Sequence, residues 1–200
     1  MESFWSNCGC KAKPESGRLP ENREGSIGSF APEEEPKPLQ QTERTPALNL
    51  GETLIASTKE VFDTMVMMET TPEALPEGQA GSISASVTGT LGLAGDLRGI
   101  LNLHFPDEVA RDITASLLGM EIEELDDDVK DAIGEITNMV PGGIKTALAR
   151  EGMDLELSIP TTVAGKSYQV NCFSGANRVI IPIAVPKGTF WAELKFMLNS

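Results

Sequence analysis

Two hundred residues suffice for one domain with a tail or for two small domains, and a hydrophobic fraction of 40% permits a sizeable core. A formal net charge of −14 speaks against nucleic acid and against anionic membrane surfaces as partners, since both call for Lys and Arg. One histidine and an odd set of three cysteines (Cys8, Cys10, Cys172) speak against a His-based triad, a His-rich metal site and a disulfide framework.

The chain starts Met1-Glu2-Ser3-Phe4-Trp5-Ser6, without a basic run or a long apolar stretch, so no signal peptide is read. No segment reaches the roughly 18 apolar residues of a membrane helix, and the cytoplasm is the expected compartment. Residues 1–49 carry Pro14, Pro20, Pro32, Pro36, Pro38, Pro46 and the acidic run Glu33–Glu35, with few large apolar residues and no period. Such a segment cannot bury enough surface to offset its ordering entropy, so a disordered acidic, Pro-rich tail is expected. Cys8-Gly9-Cys10 lacks the second ligand pair of a zinc site, so no metal is assigned there.

The character changes near Leu50. From Glu52 to Met68, Leu54, Ile55, Thr58, Val61, Phe62, Met65 and Val66 recur at helical spacing, and Pro72 follows as a stop. Met65, Met67 and Met68 read as core filler. Ser82–Leu93 alternates Ile83, Ala85 and Val87 with Ser and Thr, as a half-buried strand does. Gly92, Gly95 and Asp96 predict a turn, and Leu97–Phe105 a returning strand. His104, inside that apolar run, reads as a sheet residue rather than a catalyst. Pro106-Asp107-Glu108 opens a helix to Leu118, with acids at its positive end, and Gly119 closes it. Asp126–Ala149 predicts a long helix closed by Gly152. Four apolar runs follow, Leu155–Ile159, Tyr168–Phe173, Arg178–Val185 and Phe190–Met197, which read as a strand meander.

The helix from Asp126 holds the most informative pattern. On a wheel of about 100° per residue, Val129, Ile133, Ile136, Val140, Ile144 and Ala147 gather on one side, facing a core. Asp131, Glu135 and Asn138 form one stripe opposite. Gly134 borders it and Gly142 continues it one turn on. A solvated surface would carry the same acids and amide. The glycines point the other way, since each exposed helical Gly costs about 1 kcal/mol against Ala and invites the close approach of another backbone. Pro141 removes one helical hydrogen bond and predicts a kink just past Asn138.

Asp131, Glu135 and Asn138 at Asp-x3-Glu-x2-Asn spacing, followed by Pro160 in Leu157-Ser158-Ile159-Pro160-Thr161, resemble the signature of the CheC/CheX/FliY family of chemotaxis phosphatases. Val61-Phe62-Asp63-Thr64-Met65 with Pro72 is similar to the first CheX helix. Gly142-Gly143-Ile144-Lys145-Thr146-Ala147 is similar to the segment after the CheX asparagine. The resemblance covers about residues 50–198. The first helix has Glu60 and Asp63 but no Glu-x2-Asn, so the two-site CheC pattern is absent and the CheX branch is favoured.

The resemblance implies an α+β domain over 50–200, a largely antiparallel sheet with two long helices on one face, and a homodimer formed through the sheets. It implies hydrolysis of the phospho-aspartate of a CheY-like receiver that brings its own Mg²⁺, so that this chain needs no cofactor, metal or nucleophile. Asn138 would hold the attacking water, since an amide donates and accepts without repelling the phosphoryl group. Glu135 would pair with the receiver's active-site lysine. For Asp131 the open roles are orienting the turn of Glu135, touching the partner's rim, or simple surface charge. Gly134 and Gly142 would admit the partner, and Pro160 would shape a strand edge near the site. Two other readings stand beside this: a non-catalytic adaptor that binds a receiver or flagellar-switch partner, and an unrelated α+β ligand-binding domain. The apolar run Val179–Val185 would need a covered edge, with Pro182 at an edge or bulge.

Overall fold

The computed structural model describes residues 49–75, 83, 85–165 and 175–199. The tail with Cys8 and Cys10, the strand expected over Tyr168–Phe173, and Cys172 lie outside the described residues.

One antiparallel sheet organises the domain. Its strands are β1 (Thr71–Pro72), β2 (Val87–Gly95), β3 (Leu97–Phe105), β4 (Leu155–Leu157), β5 (Thr161–Ala164), β6 (Asn177–Val185) and β7 (Gly188–Leu198). They lie in the order β1-β6-β7-β3-β2-β4, and β5 shares the outer edge of β2 with β4. Leu155–Leu157 pairs with Leu93–Gly95, and Thr161–Ala164 with Val87–Thr90. The interruption between them is Ser158-Ile159-Pro160, so Pro160 sits where one edge strand is broken into two. Pro182 also fits its place. Its carbonyl accepts from the Glu73 N–H at 2.9 Å, so its ring nitrogen faces the same outer side and no bond to β7 is lost.

Alternation sends Val87, Leu91, Leu101, Leu103, Phe105, Phe190, Ala192 and Leu194 to one face, all buried. Helices cover that face. Phe62, Phe190 and Phe105 stack there with centroids 5.0 and 4.9 Å apart. Helix α1 (Leu50–Val61) starts at Asn49, whose side chain accepts from the N–H groups of Gly51 and Glu52. A π-helical turn over Phe62–Val66 follows, and Met67 at φ 57° ends it, five residues before Pro72. Helix α2 is Asp107–Leu118, with Gly119 left-handed at its end.

Three sequence expectations are corrected. The strand expected over Ser82–Leu93 begins at Val87 and runs through Gly92, so the turn is made by Gly95 (φ 109°) and Asp96 alone. The long helix Asp126–Ala149 is two helices, α3 (Asp127–Met139) and α4 (Pro141–Arg150). Pro141 supplies no N–H and becomes the first residue of α4, while Val140 between them keeps helical angles (−53°, −44°). Met65 and Met67 are exposed rather than core, whereas Met68 is buried.

Helix α1 runs antiparallel to the α3–α4 pair. Gly51 lies beside Val179 and Phe62 on Phe190, two strand rows further along. Thr137 of α3 rests on Gly89, and α4 reaches down towards β4. A Cβ on Gly89 would come within 2.9 Å of the Thr137 Cβ, so only glycine admits the helix at this distance.

Candidate functional site

Helix α3 begins on the Asp126 side chain, which accepts from the Val129 N–H at 3.1 Å, with Asp127 and Asp128 in the first turn. Its buried side is Val129, Ala132, Ile133, Ile136 and Thr137. Asp131, Glu135 and Asn138 are exposed, on the other side. At about 100° per residue, Asp131, Asn138, Gly142 and Glu135 fall within an arc of about 60°. Among the described residues none of the three polar side chains is engaged by a hydrogen bond or ion pair, so their donors and acceptors are available to a partner.

The flanks of this stripe are built differently. On the Gly134 side lies β5, where a Cβ on Gly134 would stand 3.3 Å from the Thr162 hydroxyl. The close neighbour of Gly134 is therefore its own chain. Gly142 has nothing within 4 Å of its missing Cβ and is open outward. Gly143 makes the other internal approach, with a Cβ there only 2.6 Å from the Ser57 Cβ. Sequence periodicity singled out Gly142 and passed over Gly143, because which of two adjacent glycines meets a neighbouring helix depends on tertiary packing. Ala147, expected in the core, instead lines a groove between α1 and α4 of about 730 Å³. Ser57, Glu60, Met65, Met139, Gly142 and Arg150 line the same groove, which adjoins the stripe through Met139 and Gly142.

Among the described residues no group of His, Cys, Asp and Glu is arranged to hold a metal, and no helix is long and apolar enough to cross a membrane. His104 is the sheet residue expected, its Nδ1 2.9 Å from the Thr88 hydroxyl. It belongs to a cluster that sequence reading missed, on the sheet face away from the helices. Glu193, 2% exposed, accepts from Asn102 Nδ2 at 3.0 Å and Arg178 Nε at 2.6 Å. His104 Nε2 and Lys195 Nζ stand 3.4 and 3.5 Å from its oxygens. Burial pushes the Glu193 pKa up, but hydrogen bonds from His104, Asn102 and Arg178 and the Lys195 charge outweigh it and lower it to about 2.

Residues 87–184, which contain α3 and α4, match the family described as chemotaxis phosphatase CheX. The curated CheY-P phosphatase CheX of Thermotoga maritima is 30% identical over 92 residues, 46% of this chain and 59% of that relative. A crystal structure of chemotaxis protein CheX from Vibrio vulnificus aligns with TM-score 0.68 and 29% identity, covering 77% of this chain and all of that one. The CheX–CheY–BeF3–Mg²⁺ complex from Borrelia burgdorferi shares the fold at TM-score 0.60 and 21% identity, over 72% of this chain and 96% of that one. Over residues 87–184 the chain is therefore CheX-like, and its mixed helix and antiparallel-sheet fold is similar to that of the CheX and CheC-like structures.

Proposed function

We propose that this protein dephosphorylates the phospho-aspartate of a CheY-like receiver domain, using the exposed stripe of α3. The observation that carries the proposal is the pairing of Glu135 and Asn138, exposed and unengaged on one helix face, within the segment that matches the CheX family. The relative from Thermotoga maritima is named for CheY-P phosphatase activity, and the one from Borrelia burgdorferi is a complex with CheY, BeF3 and Mg²⁺.

An acyl phosphate is labile, so placing a water in line with the P–O bond is most of the catalytic task. Asn138 does this with its amide: the carbonyl oxygen accepts a hydrogen bond from the water while the NH₂ can donate one. Glu135 pairs with the receiver lysine and fixes orientation. A carboxylate aimed at the phosphoryl group itself would be repelled. The Mg²⁺ comes with the receiver. Asn138 lies inside α3 and the chain stays helical through Val140, which supports its place on the stripe beside Pro141.

A homodimer through the sheet accompanies this reading. Among the described residues, the outer side of β6 is joined to β1 at Pro182, Ile183 and Ala184, and the same edge continues through Val179 and Ile181. The cytoplasm remains the expected compartment. The deciding experiment follows the decay of a phosphorylated receiver with and without the protein. Decay no faster with the protein than without it rejects the activity and leaves the adaptor reading.

A further inference from the structure

We infer that Ser57, on a different helix from the proposed catalytic pair, is a positioning residue for Asn138. This inference rests on the catalytic reading of Asn138 given above.

Asn138 has no hydrogen bond of its own, so the place of its amide is set by the backbone on either side. One residue before it, Thr137 is buried, donates its hydroxyl to the Ile133 carbonyl at 2.6 Å and rests on Gly89. That side is anchored to the sheet. Two residues after it, Val140 is the junction between α3 and α4. Here Pro141 supplies no N–H, so the Thr137 carbonyl loses the donor a continuous helix would give it. The junction keeps the Val140 N–H bond to the Ile136 carbonyl at 3.1 Å. A helix weakened at this point can pivot, and a pivot there swings Asn138.

Ser57 opposes that motion. Its side chain is 5% exposed, and its hydroxyl donates to the Val140 carbonyl from 83 residues away in sequence. Gly143 makes the approach possible, since any side chain there would collide with Ser57. Helix α1 thus clamps the weakened junction from the side, while β2 supports it from below. The serine looks dispensable for packing alone: an alanine would fill almost the same space. What alanine would lose is the tie to Val140.

The test measures dephosphorylation of a phosphorylated receiver by the full chain. Ser57→Ala is expected to lower kcat about tenfold with KM unchanged, because docking groups remain in place. An Ile113→Val control, a core change on α2 rather than in the α1–α4 contact, should lower the melting temperature comparably and leave kcat alone. In a Pro141→Ala background, where the N–H to Thr137 is restored, the Ser57→Ala loss should shrink to under threefold. Unchanged kcat in Ser57→Ala, or full additivity with Pro141→Ala, overturns the inference. If Ser57→Ala does not fold, Ser57→Cys, with a weaker donor on a somewhat larger side chain, takes its place, and unchanged kcat there overturns the inference likewise. If the wild-type chain shows no activity, the catalytic reading fails on its own. The positioning claim is then decided by the side-chain amide resonances of Asn138, which must shift in Ser57→Ala and are overturned by coincident spectra.

Discussion

The two faces of the domain treat polar side chains in opposite ways. On the sheet face away from the helices, Thr88, Asn102, His104 and Glu193 are buried and bonded to one another or to Arg178. On the helix face, Asp131, Glu135 and Asn138 are exposed, and their side chains are bonded to none of the described residues. A buried polar group must be satisfied within the fold, because leaving it bare costs about 1–3 kcal/mol. An exposed one is satisfied by water and can exchange that water for a partner. The cluster around Glu193 therefore serves stability, whereas the proposed function gives the stripe to recognition, although the cluster holds the histidine, a buried acid and the most strongly shifted pKa among the described residues, features that usually mark an active site.

Substitutions can break that division or sharpen it. The largest expected effect is on the stripe: Asn138→Ala should slow stimulated receiver dephosphorylation about 100-fold or more, with the melting temperature unchanged. A drop in stability instead would mean that Asn138 is structural. The next effect is on the cluster, where Glu193→Gln should cost about 2 kcal/mol by chemical denaturation and leave turnover intact. The same carboxyl has a pH signature. Its pKa in the fold lies below the ordinary 4.5, so the unfolded chain binds the extra proton first. Its stabilisation is complete above about 4.5 and fades as pH falls towards 2, whereas Glu193→Gln should flatten that part of the stability curve. Smaller again, Glu135→Lys should weaken affinity for the activated receiver about tenfold by placing two cations together, read by titration calorimetry.

The two faces also differed in how far the sequence disclosed them. The stripe was legible because its residues lie within eight positions on one helix, where a 3.6-residue period fixes their face. The hairpin strand Leu97–Phe105 and helix α2 were legible for a similar reason, since Pro106 and Gly119 punctuate them. The cluster was not, because Glu193 meets Asn102 and His104 across 91 and 89 residues, a pairing only the strand order creates. A lone acid inside the apolar run Phe190–Met197 was the available signal. Strands β1 and β5 were missed because Thr71–Pro72 is two exposed residues and Thr161–Ala164 offers no apolar alternation. Their pairing depends on the edges they cover.

Gly142 gives the smallest effect and the sharpest separation of the two roles. Nothing lies within 4 Å of where its Cβ would be, so Gly142→Ala meets no clash inside the chain. Near the start of α4 the change should leave stability unchanged or raise it by up to about 1 kcal/mol, since alanine favours the helix. If a receiver backbone passes over this position, the added methyl must push it away, and affinity should fall about threefold. Stability and binding would then move in opposite directions. Were both to rise together, Gly142 would lie outside the receiver's footprint, and the docking surface would end at Asn138.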